Sequence, residues 1–91
     1  MIKSFLHKGL KELFLKGCSA KVSHELQTRA VRRLDALDVA EQLGQLEIPG
    51  FNFHGLNGRP KRYNIHVNGP YCITFEWHNG DAVRVDLENY H

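Results

Sequence analysis

Long apolar stretches are missing from this chain of 91 residues. None approaches the roughly 18 to 20 residues that a bilayer-spanning helix requires, and the N-terminus lacks the apolar core and small-residue cleavage site of an export signal. We therefore expect no membrane partner and a cytoplasmic location. The length predicts a single domain over residues 1–91, because so few residues cannot build a second hydrophobic core.

Cysteine is scarce, occurring only at Cys18 and Cys72. Neither lies in a Cys-x-x-Cys pair or in a cluster with histidines at zinc-binding spacing, so the sequence predicts no metal site. Without an export signal we expect both thiols to be reduced. The Gly-rich nucleotide loop, the nucleophile elbow and a catalytic carboxylate pair are also absent, and no cofactor is expected.

Acidic residues are missing from residues 51–75, although the net charge of the whole chain is only +2. The basic residues of that stretch, here called the basic loop, are Arg59, Lys61 and Arg62. Residues 1–34 carry eight Lys or Arg against two Glu, whereas residues 35–50 carry four acids and no base. Such blocks indicate a surface for a polyanion or for an acidic partner, although basic residues on helices can also simply keep them solvated.

Hydrophobic periodicity predicts two helices in the first half of the chain. In residues 7–16, and again in a segment that begins after Ser23, apolar residues recur every three to four positions, as they do on one helix face. Gly17 is typical of a helix C-terminus and Ser23 of a helix N-terminus. Pro49 and Gly50 then end the helical region.

Alternation of apolar and polar residues, which is typical of strands, dominates the rest of the chain. The strand-like runs are residues 2–5, 51–53, 63–67, 71–77 and 82–85. Asn79-Gly80 predicts a two-residue hairpin turn between the last two. This order predicts an α+β domain in which two N-terminal helices pack on one face of a mostly antiparallel sheet of four to five strands.

Histidine is frequent, with six in the chain. A single histidine is more often structural than catalytic, but His54 ends a predicted strand beside the basic loop and His66 lies on the next strand. Imidazole exchanges protons near neutral pH, and RNA supplies its own nucleophile in the 2′-hydroxyl. Together with cations for phosphate and tyrosines for stacking, these residues indicate RNA binding or cleavage.

The chain ends in Asn89-Tyr90-His91, with two rings where termini are usually small and polar. One interpretation is that Tyr90 simply packs back on the sheet. The other places Tyr90 and His91 beside the basic loop, where they take part in chemistry. The residues alone leave both interpretations open.

A series of short motifs runs through the whole chain. They are Met1-Ile2-Lys3-Ser4-Phe5, His7-Lys8-Gly9-Leu10, Arg33-Leu34-Asp35-Ala36-Leu37-Asp38, His54-x-Leu56-x-Gly58, Val67-Asn68-Gly69, Tyr71-x-Ile73-Thr74-Phe75, Gly80-Asp81-Ala82 and Tyr90-His91. In this order they resemble the HigB-type toxins, or plasmid maintenance killer proteins, of the RelE/ParE superfamily. Because the motifs span nearly the whole chain, the set is far more specific than any one of them. The resemblance implies a RelE/ParE-like fold.

The same resemblance implies a toxin of a type II toxin–antitoxin system that cleaves mRNA in the ribosomal A site without a metal. The 2′-oxygen would attack its own phosphate while the toxin supplies acid, base and positive charge. A HigA-type helix-turn-helix antitoxin would neutralise it, and DNA would be contacted only through that antitoxin. Carried over by position, His54 and His91 would share proton transfer, and Tyr90 would stack on a base or orient the phosphate. The expected RNA contacts are Asn57, Arg59, Lys61, Arg62, His66 and Asn89.

Three positions depart from the residues that are usual in this family. Asn57 replaces a lysine, Cys72 replaces an arginine just before Ile-Thr-Phe, and Asn89 replaces an aspartate before the final Tyr-His. Two cations and one acid are thereby lost, and such charges stabilise transition states. A weakened or inactive homologue that binds its antitoxin and tunes operon repression is therefore an alternative, as is the gyrase poisoning of a neighbouring branch.

Overall fold

The computed structural model describes residues 1–90, in which two helices precede four strands. The helices are α1 (Lys8–Lys16) and α2 (His24–Val39), followed by a single 3₁₀ turn at Leu43–Leu46. The strands are β1 (His54–Leu56), β2 (Arg62–Asn68), β3 (Tyr71–His78) and β4 (Asp81–Asn89). They form an antiparallel sheet in the order β1-β2-β3-β4. The predicted α+β class, with its N-terminal helices on an antiparallel sheet, is confirmed.

Local signals set the ends of α1. The side chain of His7 caps the helix, its Nδ1 accepting the N–H of Leu10 at 3.1 Å, so the helix begins one residue later than predicted. At the other end Gly17 has a φ of 82°, in the left-handed region, and its N–H donates to the Leu13 carbonyl at 2.8 Å. Glycine adopts this conformation without the steric cost of a Cβ atom.

The hydrophobic core lies between the helices and one face of the sheet. Its fully buried members include Leu10, Leu13, Ala30, Leu34 and Leu37 from the helices and Ile65, Val67, Ile73, Phe75 and Val85 from the strands. Burying each large aliphatic side chain contributes about 1.5 to 3 kcal/mol. Because successive strand residues point to opposite faces, the alternate residues of these strands occupy the other side of the sheet. We call that side the polar face.

The predicted strand at residues 2–5 forms only two isolated bridges, in which Ile2 pairs with Ala82 and Phe5 with Val85, both parallel. It runs beside β4 without a continuous ladder. The interruption coincides with Arg84, which has a φ of 52° and lies where the pairing of β3 and β4 shifts register. A residue in the left-handed region breaks the regular alternation that a continuous ladder requires.

The strand predicted at residues 51–53 was wrong, because the strand begins only at His54. Asn52 has a φ of 45°, which is incompatible with extended backbone. Phe51 instead enters the core at 6% exposure, and its carbonyl accepts the N–H of His66 at 2.7 Å. Packing of the Phe51 ring therefore determines this segment more strongly than its alternating pattern.

The hairpin predicted at Asn79-Gly80 is confirmed. These two residues connect β3 to β4 with φ values of 51° and 84°, both positive, as a type I′ turn requires. Cys18 and Cys72 are both free, the first exposed and the second buried, as expected for reduced thiols. Within residues 1–90, neither helix is long and apolar enough to cross a membrane.

Candidate active site

The strand register brings the two predicted site histidines onto the polar face. His54 pairs with Asn64 across β1 and β2, and His66 pairs with Cys72 across β2 and β3. Cys72 in turn lies opposite Glu88 on β4. Since paired residues point to the same side of a sheet, these side chains form two adjacent rows on the polar face, one with His54 and Asn64 and the other with His66, Cys72 and Glu88.

A cavity of about 280 Å³ opens on this face. Its lining residues, which define what we call the histidine cavity, are Asn52, His54, Leu56, Asn64, His66, Cys72 and Tyr90. It therefore combines two imidazoles with a phenol and a thiol. Among the residues that the structure describes, neither a lysine nor an arginine lines it. Groups that can transfer protons therefore meet in the histidine cavity, but none of its described lining residues carries a permanent positive charge.

Backbone carbonyls orient both imidazoles of the histidine cavity. Nδ1 of His54 lies 2.8 Å from the Asn52 carbonyl oxygen, and Nε2 of His66 lies 2.9 Å from that of Gly69. A carbonyl oxygen can only accept a hydrogen bond, so each of these nitrogens carries a proton. In the neutral rings, Nε2 of His54 and Nδ1 of His66 therefore retain lone pairs and can act as bases.

Tyr90 stands where the histidine cavity meets a second cavity. Its N–H donates to the Pro70 carbonyl at 2.7 Å, which holds the backbone of Tyr90 beside the turn before β3. Its hydroxyl lies 3.4 Å from Glu88 Oε2, while the side chain is still 44% exposed. Burial, and then the charge and hydrogen bond of Glu88, raise the pKa of Tyr90. The phenol is therefore neutral near pH 7, so it can donate a hydrogen bond or stack.

The second cavity, about 390 Å³, is rich in charge. Its charged lining residues are Arg59, Arg62, Arg84, Glu76, Asp86 and Glu88, and we call it the arginine cavity. Three guanidinium groups therefore face three carboxylates. The stretch that is free of acids in the sequence is not free of them in space, because β3 and β4 bring carboxylates to it. Sequence reasoning missed these residues since they lie far from the basic loop along the chain.

Glu76 lines the arginine cavity and is only 5% exposed. Its Oε2 is 3.0 Å from Arg62 Nη1 and 3.0 Å from Arg84 Nε, and its Oε1 is 3.4 Å from His78 Nε2. Burial would raise the pKa of Glu76, but the hydrogen bond of His78 and the two arginines outweigh burial and lower it. Arg62 also donates to Thr74 Oγ1 and to the Arg84 carbonyl. Three protein groups thus engage the Arg62 guanidinium.

Other predicted RNA contacts divide between the two sides of the sheet. Asn57 and Arg59 line the arginine cavity, and no hydrogen bond or ion pair ties Arg59 to the other described residues. Lys61 instead lies over the Tyr63 ring, with Nζ 5.7 Å from the ring centroid. Because Tyr63 belongs to the side of β2 that faces the helices, Lys61 is away from both cavities.

At the C-terminus, Asn89 pairs with Tyr71 and so points away from Glu88, which precedes it on β4. It therefore lies off the polar face. His91, the second predicted proton-transfer residue, lies outside the described residues. Within residues 1–90, no group of three His, Cys, Asp or Glu side chains could hold a metal ion.

Comparison with known proteins identifies the protein family. The family model for the RelE-like toxin of the type II toxin–antitoxin system HigB matches residues 3–91. The chain belongs to this HigB-like toxin family. Among its relatives, Endoribonuclease HigB of Proteus vulgaris is 42% identical over 92 residues, which covers the whole of both chains. Toxin HigB-1 of Vibrio cholerae serotype O1 is 32% identical over 69 residues, 74% of this chain and 73% of that protein.

Membership of the HigB family confirms the resemblance found in the sequence motifs. It also makes an antitoxin the partner of this chain, because the family consists of toxins of type II toxin–antitoxin systems.

In this HigB-family toxin, Cys72 puts a thiol at the centre of the polar face. It is 8% exposed and lies between His66 and Glu88 in the strand register. A thiol cannot supply the fixed charge or the donor fork of a guanidinium. The side chain directly across the ladder on β2 is the imidazole of His66.

Proposed function

We propose that this HigB-family toxin is a ribosome-dependent endoribonuclease that cleaves mRNA through attack of the RNA 2′-hydroxyl on the adjacent phosphate. The observation that carries the proposal is the histidine cavity, in which His54, His66 and Tyr90 meet on one face of the sheet. The name of the relative that matches over the full length, Endoribonuclease HigB, supports endonucleolytic cleavage of RNA.

His54 is the proposed general base, because its Nε2 retains a lone pair while Nδ1 is held by the Asn52 carbonyl. As Nε2 takes the proton of the 2′-hydroxyl, the 2′-oxygen bonds to phosphorus and the bond from phosphorus to the 5′-oxygen breaks. His91 is the proposed acid that protonates the leaving 5′-oxygen. The products are a 2′,3′-cyclic phosphate and a 5′-hydroxyl. Each positioned proton-transfer group typically contributes a factor of about 10² to 10⁴ in rate.

Positive charge for the phosphate comes, in this proposal, from Arg59, while His66 contacts the RNA through its Nδ1. Arg59 is exposed at the mouth of the arginine cavity, whereas Arg62 is already engaged by Glu76 and its neighbours. Removing one well-placed donor from a transition state costs about 2.7 to 4 kcal/mol. We therefore expect slower cleavage than in a relative that has an arginine at the position of Cys72.

The remaining predicted contacts are proposed to bind RNA around the reacting phosphate. Asn57 lines the arginine cavity and can hydrogen-bond to phosphate or sugar. Lys61 and Asn89, which lie off the polar face, are proposed to contact nucleotides further along the strand. Arg62 is proposed to act mainly on the shape of the cavity, because Glu76, Thr74 and the Arg84 carbonyl occupy its donors.

The charge balance of the site supports the proposed dependence on the ribosome. The arginines of the arginine cavity face an equal number of carboxylates, so free RNA gains little from phosphate neutralisation there. A ribosome that holds the codon in place would supply the positioning that electrostatic attraction does not. A HigA-type helix-turn-helix antitoxin is the proposed inhibitor, with DNA contacted through it, and the cytoplasm is the proposed location.

Mapping of mRNA 5′ ends on translating ribosomes after induced expression tests this function. New ends within codons are expected for the parent and for His24→Ala, a matched control at an exposed histidine of α2. His54→Ala should abolish them. A parent that generates no new ends contradicts the proposal.

A second candidate is favoured by the lack of arginine and lysine among the described residues of the histidine cavity. In that case the chain is a catalytically silent module that binds its antitoxin and tunes operon repression. Cys72→Arg should then confer toxicity on a harmless parent. A parent that is already fully toxic argues against this candidate.

A further inference from the structure

Arg33 on α2 contacts both the strand β2 and the residues that lead into β1. Its Nε donates to the His66 carbonyl at 3.0 Å, and its Nη2 donates to the Gly50 carbonyl at 3.4 Å. Its guanidinium carbon also lies 4.7 Å from the centre of the Phe51 ring. One helix side chain thereby joins β2 to residues 50–52, which we call the entry loop.

The positive charge of Arg33 has no acidic partner. Within residues 1–90, no ion pair links it to a carboxylate. Burial lowers the pKa of Arg33, and the charges of Arg29 and Arg32 lower it further, yet a guanidinium remains protonated at neutral pH. Because burying a charge is costly unless its donors are satisfied, the two carbonyls and the ring are what stabilise this side chain.

The entry loop holds backbone and side-chain groups of both site histidines. The Phe51 carbonyl accepts the backbone N–H of His66 at 2.7 Å, and the Asn52 carbonyl accepts the Nδ1–H of His54 at 2.8 Å. The regular pairing of β1 with β2 starts only at His54, opposite Asn64. Asn52 has a φ of 45°, a conformation that non-glycine residues keep only when their surroundings enforce it. The loop therefore depends on contacts from outside the sheet.

We propose that Arg33 is a positioning residue for the two histidines of the histidine cavity. By fixing the entry loop it places the Asn52 carbonyl, which keeps a proton on Nδ1 of His54 and leaves Nε2 as the base. By bonding to the His66 carbonyl it also fixes the backbone from which that imidazole enters the cavity. The inference rests on the proposed function for the roles of these histidines in RNA cleavage.

The contacts of Arg33 need a guanidinium rather than any cation. A planar guanidinium donates in two directions while its face lies over a ring, whereas an ammonium is a point charge on a flexible stem. Arg33→Lys therefore retains the charge but loses the arrangement. Arg29→Lys is the matched control, because Arg29 lies one helical turn earlier and bonds only to the exposed side chain of Asn68.

Nitrogen-15 nuclear magnetic resonance of the imidazoles in the full-length toxin tests the inference without requiring cleavage. At a pH where the rings are neutral, the parent and Arg29→Lys should carry the His54 proton on Nδ1. In Arg33→Lys, the His54 ring should exchange between its two tautomers, since the Asn52 carbonyl is no longer held. A His54 ring that keeps its Nδ1 proton in Arg33→Lys overturns the inference. Arg33→Gln, which retains one uncharged donor group, repeats the measurement if the lysine variant does not fold.

Amide hydrogen exchange separates positioning from a general loss of stability. In Arg33→Lys, protection of the His66 amide, which donates to the Phe51 carbonyl, should fall about 10-fold. The Ala82 amide, which donates to the Met1 carbonyl at the opposite edge of the sheet, should keep its protection. An equal loss at both amides shows general destabilisation and overturns the inference.

Cleavage on programmed ribosomes separates this inference from the proposed function. A misplaced catalytic group can slow a reaction by up to about 100-fold, so Arg33→Lys should lower kcat by about 10- to 100-fold with little change in KM. A parent with the expected tautomers that cleaves no mRNA refutes the proposed function alone. Cleavage by the parent together with an unchanged kcat in Arg33→Lys refutes the role of Arg33 alone.

Discussion

Replacing Glu76 by glutamine tests whether a buried charge holds the arginine cavity together. Glutamine keeps the shape and one acceptor oxygen but loses the charge that two guanidinium groups contact at 3.0 Å. Breaking a fully buried ion pair costs about 3 to 5 kcal/mol, whereas exposed pairs are worth about 0 to 1 kcal/mol. Arg62 is 20% exposed and Arg84 58% exposed. We therefore expect a loss of about 2 kcal/mol in the free energy of unfolding, most of it from Arg62.

The pH dependence of this loss has a definite sign. The pKa of Glu76 in the folded protein is lowered from its ordinary value of 4.5. Its stabilising contribution is therefore complete above that value and is lost as the pH falls through the lowered folded pKa. The difference in stability between the parent and Glu76→Gln should be constant from neutral pH down to about 4.5 and shrink below it.

Urea unfolding followed by the fluorescence of Trp77, the single tryptophan, measures this difference between pH 7 and pH 3. For a domain of this size, about 2 kcal/mol corresponds to a fall in Tm of about 8 to 16 °C. Glu47→Gln, at an exposed glutamate, is the control and should remain within about 0.5 kcal/mol of the parent. A Glu76→Gln variant as stable as the parent at pH 7, or a difference that grows on acidification, would refute the reasoning.

Three further changes have expected outcomes. Cys72→Arg should raise the rate of mRNA cleavage on ribosomes at least about 10-fold by restoring charge at the phosphate; an unchanged rate contradicts this role. Tyr90→Phe removes the hydroxyl and should slow cleavage by about 10-fold, the contribution of a hydrogen bond to phosphate. A variant that cleaves at the parent rate would show that Tyr90 acts only by stacking on a base. Gly9→Ala should lower the Tm in thermal unfolding, although helix propensity alone favours alanine by about 1 kcal/mol. The added Cβ would lie 2.8 Å from His7 Cε1 and 2.9 Å from Lys21 Cβ; a higher Tm would contradict that packing.

Features encoded by neighbouring residues could be predicted from the sequence. The left-handed Gly17 at the end of α1 and the turn at Asn79-Gly80 follow from the local preferences of those residues. The start of β1 could not be predicted, because the core position of Phe51 forces Asn52 out of extended backbone. The bulge at Arg84 could not be predicted either, because it departs from the regular register of the β3–β4 hairpin and its N–H donates to Ser4 Oγ, 80 positions away along the chain.

The residues of the candidate site also fall into those that could be predicted from the sequence and those that could not. His54 and His66 could be proposed from residue type and from their position near the basic loop, and the strand register places them together. Glu76 and Glu88 carry no local signal, because they reach the cavity only through the pairing of β3 with its neighbours. Arg33 looks like any helix arginine, and its bonds to the Gly50 and His66 carbonyls emerge only once α2 is packed against β2.

Cleavage of a defined mRNA in purified translating ribosomes is the most direct test of the central claim. The proposed mechanism predicts that the parent releases fragments with 5′-hydroxyl ends in the A site. It also predicts that His54→Ala slows this reaction by about 10² to 10⁴-fold, the typical contribution of a general base. A parent that leaves the mRNA intact, or a His54→Ala variant that cleaves at the parent rate, would contradict it.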